Sequence, residues 1–150
     1  MRKLLYLVSF AFLMLGCGDD PNPELNTKVD EVQDIVTAGR WRISSFINDD
    51  KDETSDYTGY IFQFQPTGVL IATNGPASLS GSWVVTEQRD GSDGTNTFDD
   101  IDFDISFASA PVLSKLSEDW EIIEATDTKI DLRHMSGGNG DTDLLTFNKI

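Results

Sequence analysis

Apolar side chains recur at every second position through most of the chain after residue 40. In the clearest run, 101–107, Ile and Phe alternate with Asp and Ser. A period of two places alternate side chains on opposite faces of a β-strand, with one face buried and the other in solvent. Turn residues separate eight such segments, which predict strands at 40–47, 58–65, 68–74, 79–88, 99–108, 119–125, 128–135 and 142–149. Because no long helical pattern intervenes, we expect an all-β fold, either an antiparallel sandwich or a barrel without free edges.

One helix is predicted, before the first strand. Asn22 is a suitable N-cap, and Pro23 is suited to the first helical position. An apolar stripe with spacings of four, three and four follows, formed by Leu25, Val29, Val32 and Val36, and Gly39 ends it. The pattern indicates a short amphipathic helix. A helical turn or loop is also expected at 111–117, and a tight hairpin turn at 65–68.

The N-terminal segment has the features of a secretory signal. Arg2 and Lys3 precede an apolar run at 4–15, which is shorter than the roughly 20 residues of a membrane span. The sequence that follows, Leu13-Met14-Leu15-Gly16-Cys17, resembles the lipobox of bacterial lipoproteins, with Met14 where that family most often has Leu. The resemblance implies that the Cys17 thiol receives a diacylglyceryl group, that the chain is cut before Cys17, and that the new N-terminus is acylated.

Three parts of the chain are therefore expected: a lipoprotein signal peptide at 1–16, a lipid-anchored tether at 17–23, and a barrel domain with its helix at 24–150. The tether is acidic and Pro-rich, as a solvated linker would be. It also resembles short acidic export signals that send lipoproteins to the cell surface. The expected location is the bacterial cell envelope, at the outer membrane, facing either the periplasm or the outside. Two or three acyl chains would hold the protein firmly.

The balance of charge limits the partners of the chain. The full sequence has a net charge of −15, and removal of Arg2 and Lys3 with the signal peptide leaves 9 of the 11 basic residues against 26 acidic ones. Such a chain is repelled by nucleic-acid phosphates and by anionic lipid head groups. We therefore predict no nucleic-acid partner and attachment to the membrane through the acyl chains on Cys17 alone. The sequence identifies no protein partner.

Short motifs of the domain resemble those of lipocalins and of the lipocalin-like domains of small bacterial lipoproteins. Gly39-Arg40-Trp41 has the form of the lipocalin Gly-x-Trp motif, at the junction between the helix and the first strand. Segments 59–64, 68–70, 81–83 and 144–149 add to the similarity, whereas the lipocalin Thr-Asp-Tyr motif is missing. The resemblance implies an eight-stranded antiparallel up-and-down barrel that binds a small apolar or amphiphilic molecule.

Bulky side chains are predicted to face the interior of this barrel. The candidates for ligand binding are Trp41, Tyr60, Phe62, Phe64, Trp83, Phe103 and Trp120, and Phe107 shares their pattern. An eight-stranded barrel can be filled by its own side chains or can hold one small ligand. Both interpretations of these residues, core filling and pocket lining, are open at this point.

No catalytic or metal-binding constellation is predicted. The single histidine, His134, accompanies no nucleophile-elbow sequence, and we expect it to be structural. Asp102 and Asp104 alternate with the apolar face and are expected to face solvent. Three acidic loops, at 48–54, 90–100 and 137–143, match calcium loops only in part and are interpreted as solvated turns, although the sequence leaves calcium binding there open. The sequence therefore predicts no enzyme, no metal and no cofactor.

Two functions agree with these features. The first is a lipid-anchored binding protein that holds a small apolar or amphiphilic molecule in its barrel. The alternative is a structural or interaction lipoprotein, with a filled barrel, that contacts an envelope protein or glycan.

Overall fold

The computed structural model describes residues 23–87, 101–108, 110–135 and 141–150. The helix α1 spans Pro23–Thr37 and precedes all strands of this described part. The strands are β1 (Trp41–Asn48), β2 (Lys51–Asp52), β3 (Ile61–Phe64), β4 (Val69–Asn74), β5 (Ala77–Glu87), β6 (Ile101–Ser106), β7 (Asp119–Ala125), β8 (Lys129–Met135) and β9 (Thr142–Lys149). In the described ranges, two short 3-10 helices lie at Thr54–Tyr57 and Leu113–Leu116, the second where a helical turn is predicted.

The strands form a closed antiparallel barrel. Neighbours in the order β1, β3, β4, β5, β6, β7, β8, β9 are hydrogen-bonded, and β9 pairs back with β1 from Trp41↔Lys149 to Ile47↔Leu144. The two residues of β2 pair with the end of β1 and lie outside this ring of eight. The predicted all-β, eight-stranded up-and-down barrel with a short N-terminal helix is confirmed, and the sandwich alternative is excluded.

A β-bulge changes which side chains of β1 face the interior. The simple alternation of Trp41 and Ile43 with polar residues would place Ser45 inside. The register with β9 shifts between Ile43 and Ser45, and Phe46 is fully buried instead. A bulge inserts one extra residue, so side chains after it that would have faced solvent face the interior, and the reverse. The sequence pattern contains no signal for this insertion.

The third strand is shorter than its sequence pattern predicts. Residues 58–60 were expected to belong to it, but the chain leaves the 3-10 helix through a turn in which the Tyr60 amide donates to the Tyr57 carbonyl at 3.1 Å. Gly59 has a φ of +86°, in the left-handed region that favours glycine. The strand therefore begins only at Ile61.

The helix closes one end of the barrel. Val32 and Val36, from the predicted apolar stripe, are fully buried, and Val29 packs against the same core. The Trp41 indole Nε1 donates to the Val36 carbonyl at 2.8 Å, which joins the helix to the first strand. The Nζ of Lys149 lies 5.6 Å from the centre of the Trp41 ring, on the outside of this junction. Among the described residues, no helix has the length and apolar character needed to cross a membrane.

Gly81 permits the close approach of β5 and β6. A Cβ atom at this position would meet the Ser106 carbonyl and the Phe107 ring. Because the first of these is backbone, the clash could not be relieved by a side-chain rotation. Any larger residue at position 81 would therefore push the two strands apart.

Candidate functional site

The predicted ligand-binding residues lie together inside the barrel. Trp41, Phe62, Phe64, Trp83, Phe103 and Trp120 are all buried in one hydrophobic core, with Phe107 beside them. Tyr60 differs from the others because it is only partly buried and packs against the edge of this core. The sequence thus identified the interior face of most strands. It omitted Phe46, displaced by the bulge, and Phe147 of β9, which are also fully buried.

Aromatic rings contact one another across the interior. The ring of Phe64 lies 5.5 Å from Trp83, 5.5 Å from Phe103 and 5.7 Å from Phe147, measured between ring centres. Phe62 lies 5.4 Å from Phe147 in an edge-to-face arrangement. These are the separations of packed aromatic pairs. The geometry around Phe64 is that of a filled core, and a ligand would enter it only if these side chains moved.

The end of the barrel opposite α1 is covered by the two 3-10 helices. Tyr57, Leu113 and Leu116 are buried there. The Tyr57 hydroxyl donates to the Val112 carbonyl at 2.9 Å, and Lys115 Nζ forms an ion pair with Glu53 at 2.7 Å. Burial raises the pKa of the Tyr57 phenol, and the nearby acidic residues add to this shift. This hydroxyl therefore stays protonated and continues to donate its hydrogen bond.

A groove remains on the barrel wall between β1 and β3. These two fully described strands share one residue pair, Trp41↔Phe62. The rest of β1 pairs with β9 on one side and, at its end, with β2 on the other. The Glu53 amide donates to the Phe46 carbonyl, and the Phe46 amide donates to Thr54 Oγ1, both at 2.9 Å. The groove lies where β1 and β3 are not paired and has a volume of about 550 Å³. It is lined by Arg42, Ile43, Ser44, Tyr57, Thr58, Gly59, Tyr60, Ile61 and Ile150.

A second groove, of about 390 Å³, lies between α1 and the β3–β4 hairpin. Its helix side is formed by Gln33, Asp34 and Thr37, and Trp83 contributes to its other wall. The Trp83 indole Nε1 is engaged because it donates to the Gln65 carbonyl at 2.9 Å. The groove beside β1 has the more apolar lining, with three isoleucines and two tyrosines.

The outer faces of β6 and β7 carry opposed carboxylates. Asp102 lies directly opposite Glu121, and Asp104 lies opposite Asp119. Both β6 aspartates are outside the core as expected, but they are partly rather than fully exposed. Burial raises the pKa of each above its ordinary value, and the neighbouring negative charges raise it further. Like charges placed directly opposite each other on a sheet are destabilising, but Arg133 of β8 donates to Glu121 at 3.0 Å and offsets the first of these two pairs.

His134 lies near the end of β8, beside the start of β7. Its Nδ1 is 3.0 Å from the Asp119 carbonyl oxygen and 3.1 Å from Asp119 Oδ1, and its Nε2 is 3.7 Å from Glu118 Oε2. Partial burial lowers the pKa of the imidazole. The hydrogen bond to Asp119 and the surrounding carboxylates outweigh this effect, so the pKa lies above its ordinary value. Sequence reasoning did not connect these residues, because they are far apart in the chain.

The acidic loop at 48–54 makes internal contacts of an ordinary turn. Asn48 Nδ2 donates to Glu53 at 3.2 Å, the same carboxylate that pairs with Lys115, and the Thr54 amide donates to Asp52 at 3.0 Å. These contacts engage two of the four carboxylates of the loop, those of Asp52 and Glu53. The acidic loop at 90–100 and residues 137–140 of the third loop lie outside the described residues, as do Cys17 and the predicted signal peptide.

Comparisons with known proteins identify no family for this chain. No protein-family model matches it, and no curated protein does. Among solved structures, it is similar to the crystal structure of a DUF4847 family protein from Bacteroides vulgatus, with 14% identity and a TM-score of 0.45. The similarity covers 78% of this chain and 96% of that one. A likeness at this level carries no argument about function.

Proposed function

We propose that this chain is a lipid-anchored, non-enzymatic lipoprotein of the bacterial cell envelope that binds a small amphiphilic molecule. The lipobox-like sequence ending at Cys17 supports the anchor and the location. The observation that supports binding is the groove between β1 and β3, whose volume falls in the range of small-molecule sites. The packed contacts around Phe64 favour this outer site over the barrel interior.

The lining of the groove determines what it can accept. Ile61 and Ile150 provide most of the apolar surface, because Ile43 is only 8% exposed, and Tyr60 adds a ring with a polar tip. Arg42 is exposed at the same groove and supplies a positive charge. An apolar tail along the isoleucines with an acidic head group near Arg42 would satisfy both parts of the lining. The proposed ligand is therefore an anionic amphiphile such as a long-chain carboxylic acid.

Photocrosslinking in membranes tests this proposal. A photoreactive fatty acid is expected to label peptides that contain residues 42–44 and 57–61. Ile150→Ser should weaken labelling at subsaturating probe roughly fivefold, because about 1 kcal/mol of apolar contact is lost. Ile123→Ser is a matched control, since Ile123 and Ile150 are 50% and 51% exposed and Ile123 lies away from the groove. Equal labelling of the two variants, or labelling of interior strand residues alone, would contradict the groove as the site.

A second candidate function is supported by the opposed carboxylates of β6 and β7. Glu121 is already ion-paired with Arg133, so the charge of Asp102 and the repulsion of the Asp104–Asp119 pair remain for a cationic partner surface to offset. This agrees with an interaction lipoprotein that contacts an envelope protein or a glycan with basic groups. Affinity capture from solubilised membranes distinguishes the two functions, because recovery of one specific partner that is lost on Asp102→Asn would favour this one.

A further inference from the structure

The barrel brings three potential metal ligands together at its end opposite α1. Glu118 and Asp119 stand at the start of β7, and His134 stands near the end of β8. One ligand atom from each residue lies within 4.8 Å of the other two. The β7–β8 hairpin creates this proximity by folding back on itself.

The hydrogen bonding of His134 prepares one ring nitrogen for coordination. A carbonyl oxygen can only accept a hydrogen bond, so the 3.0 Å contact with the Asp119 carbonyl places the proton on Nδ1. In the neutral ring, Nε2 then has a free lone pair, and it faces Glu118 at 3.7 Å. The Asp119 carboxylate lies at Nδ1, at 3.1 Å, and has to rotate towards Nε2 to join a metal there. Metal-bound histidines have this arrangement, in which the other ring N–H donates to a backbone carbonyl or carboxylate.

The backbone of the cluster is held by regular structure. The Ile105 amide donates to the Glu118 carbonyl at 3.1 Å, and the Glu118 amide donates to the Leu116 carbonyl at 3.0 Å. On the other strand, His134 is paired with Asp143 of β9. The imidazole also lies edge-on to Trp120, with ring centres 6.1 Å apart. The ligand positions are thus fixed on strands, while the exposed carboxylates of Glu118 and Asp119 can rotate to close the remaining distance.

We propose that Glu118, Asp119 and His134 bind a divalent first-row transition metal, with Zn²⁺ as the best match. One imidazole nitrogen with two carboxylates is a ligand set that zinc accepts, with water at the open position. Calcium and magnesium take oxygen ligands and would not use the imidazole. The site lies at the covered end of the barrel and shares no residue with the lining of the groove, so it does not depend on the proposed amphiphile.

Calorimetric titration with zinc tests the site. The full chain is used in detergent without a histidine tag and with Cys17→Ser, so that no thiol competes for the metal. We expect one bound Zn²⁺ per chain. Removing a ligand by His134→Ala or by Glu118→Gln should weaken binding at least tenfold. Glu124→Gln is a matched control, because Glu124 is a half-exposed β7 carboxylate that pairs with Lys129 instead.

The outcomes separate a metal site from a simple ion pair. Circular dichroism establishes that each variant is folded, and Glu118→Gln keeps the test valid even if His134→Ala does not fold. Zinc binding that is lost in the two ligand variants and kept in Glu124→Gln supports the site. No binding by the parent chain at about 100 μM zinc, or equal binding by all variants, would overturn it and leave His134 as an ion-pair partner of the two carboxylates.

Discussion

Phe64→Ala is expected to lower the free energy of unfolding by about 3–5 kcal/mol. The Phe64 ring is almost fully buried and contacts the rings of Trp83, Phe103 and Phe147. Truncation removes these contacts and leaves a cavity that a closed barrel can only partly collapse. Urea denaturation followed by circular dichroism measures the change from the shift in the transition midpoint.

Two controls make this result specific to the interior. Ile123→Ala removes a half-exposed side chain of β7 and should change stability by no more than about 0.5 kcal/mol. Phe64→Leu keeps most of the volume and should cost less than half as much as Phe64→Ala. A loss below about 1 kcal/mol for Phe64→Ala would mean that the ring lines a pocket rather than fills the core, and the barrel interior would again be the preferred ligand site.

Cys17→Ser is expected to abolish incorporation of radiolabelled palmitate into the protein. In the proposed lipoprotein, the Cys17 thiol would accept the diacylglyceryl group, and the sequence has no other cysteine that could replace it. Each buried methylene contributes about 0.8 kcal/mol to membrane attachment, so loss of the acyl chains removes the main anchor. Labelling in growing cells followed by immunoprecipitation shows whether the protein carries radiolabelled palmitate.

The matched control for this experiment changes the next residue instead. Gly18→Ser leaves both the cysteine and the residue before the cut unchanged, so its labelling should equal that of the parent chain. Persistent labelling of Cys17→Ser would place the acyl group elsewhere. Absence of label from the parent chain would exclude the lipoprotein assignment altogether.

Most of the fold could be predicted because strand alternation is a local property. The period of two in β6 and the turn at 65–68 depend on neighbouring residues, and both correspond to the structure. The bulge in β1 could not be predicted, since it arises from the register between strands about 100 residues apart. The short outer strand β2 was missed for a related reason, because its two charged residues are exposed and only their pairing with β1 makes them a strand.

The candidate sites were less predictable than the fold. The groove depends on where β1 and β3 separate, and the cluster depends on how β7 and β8 pair. Alternation continues through residues 58–65, yet the Tyr57–Tyr60 turn ends the pairing early and opens the groove beside β1. The Glu118–Asp119–His134 cluster requires the exact register of the β7–β8 hairpin, in which Glu121 lies opposite Arg133. Sequence reasoning treated His134 alone and therefore had no carboxylate partner to assign to it.

Native mass spectrometry of the detergent-extracted protein tests the central claim most directly. We expect a chain that begins at Cys17 and carries the mass of two or three acyl chains. We also expect a retained small amphiphile that dissociates when the protein is denatured. A chain that keeps residues 1–16 and an unmodified Cys17, with no bound molecule, would contradict both the anchor and the binding function.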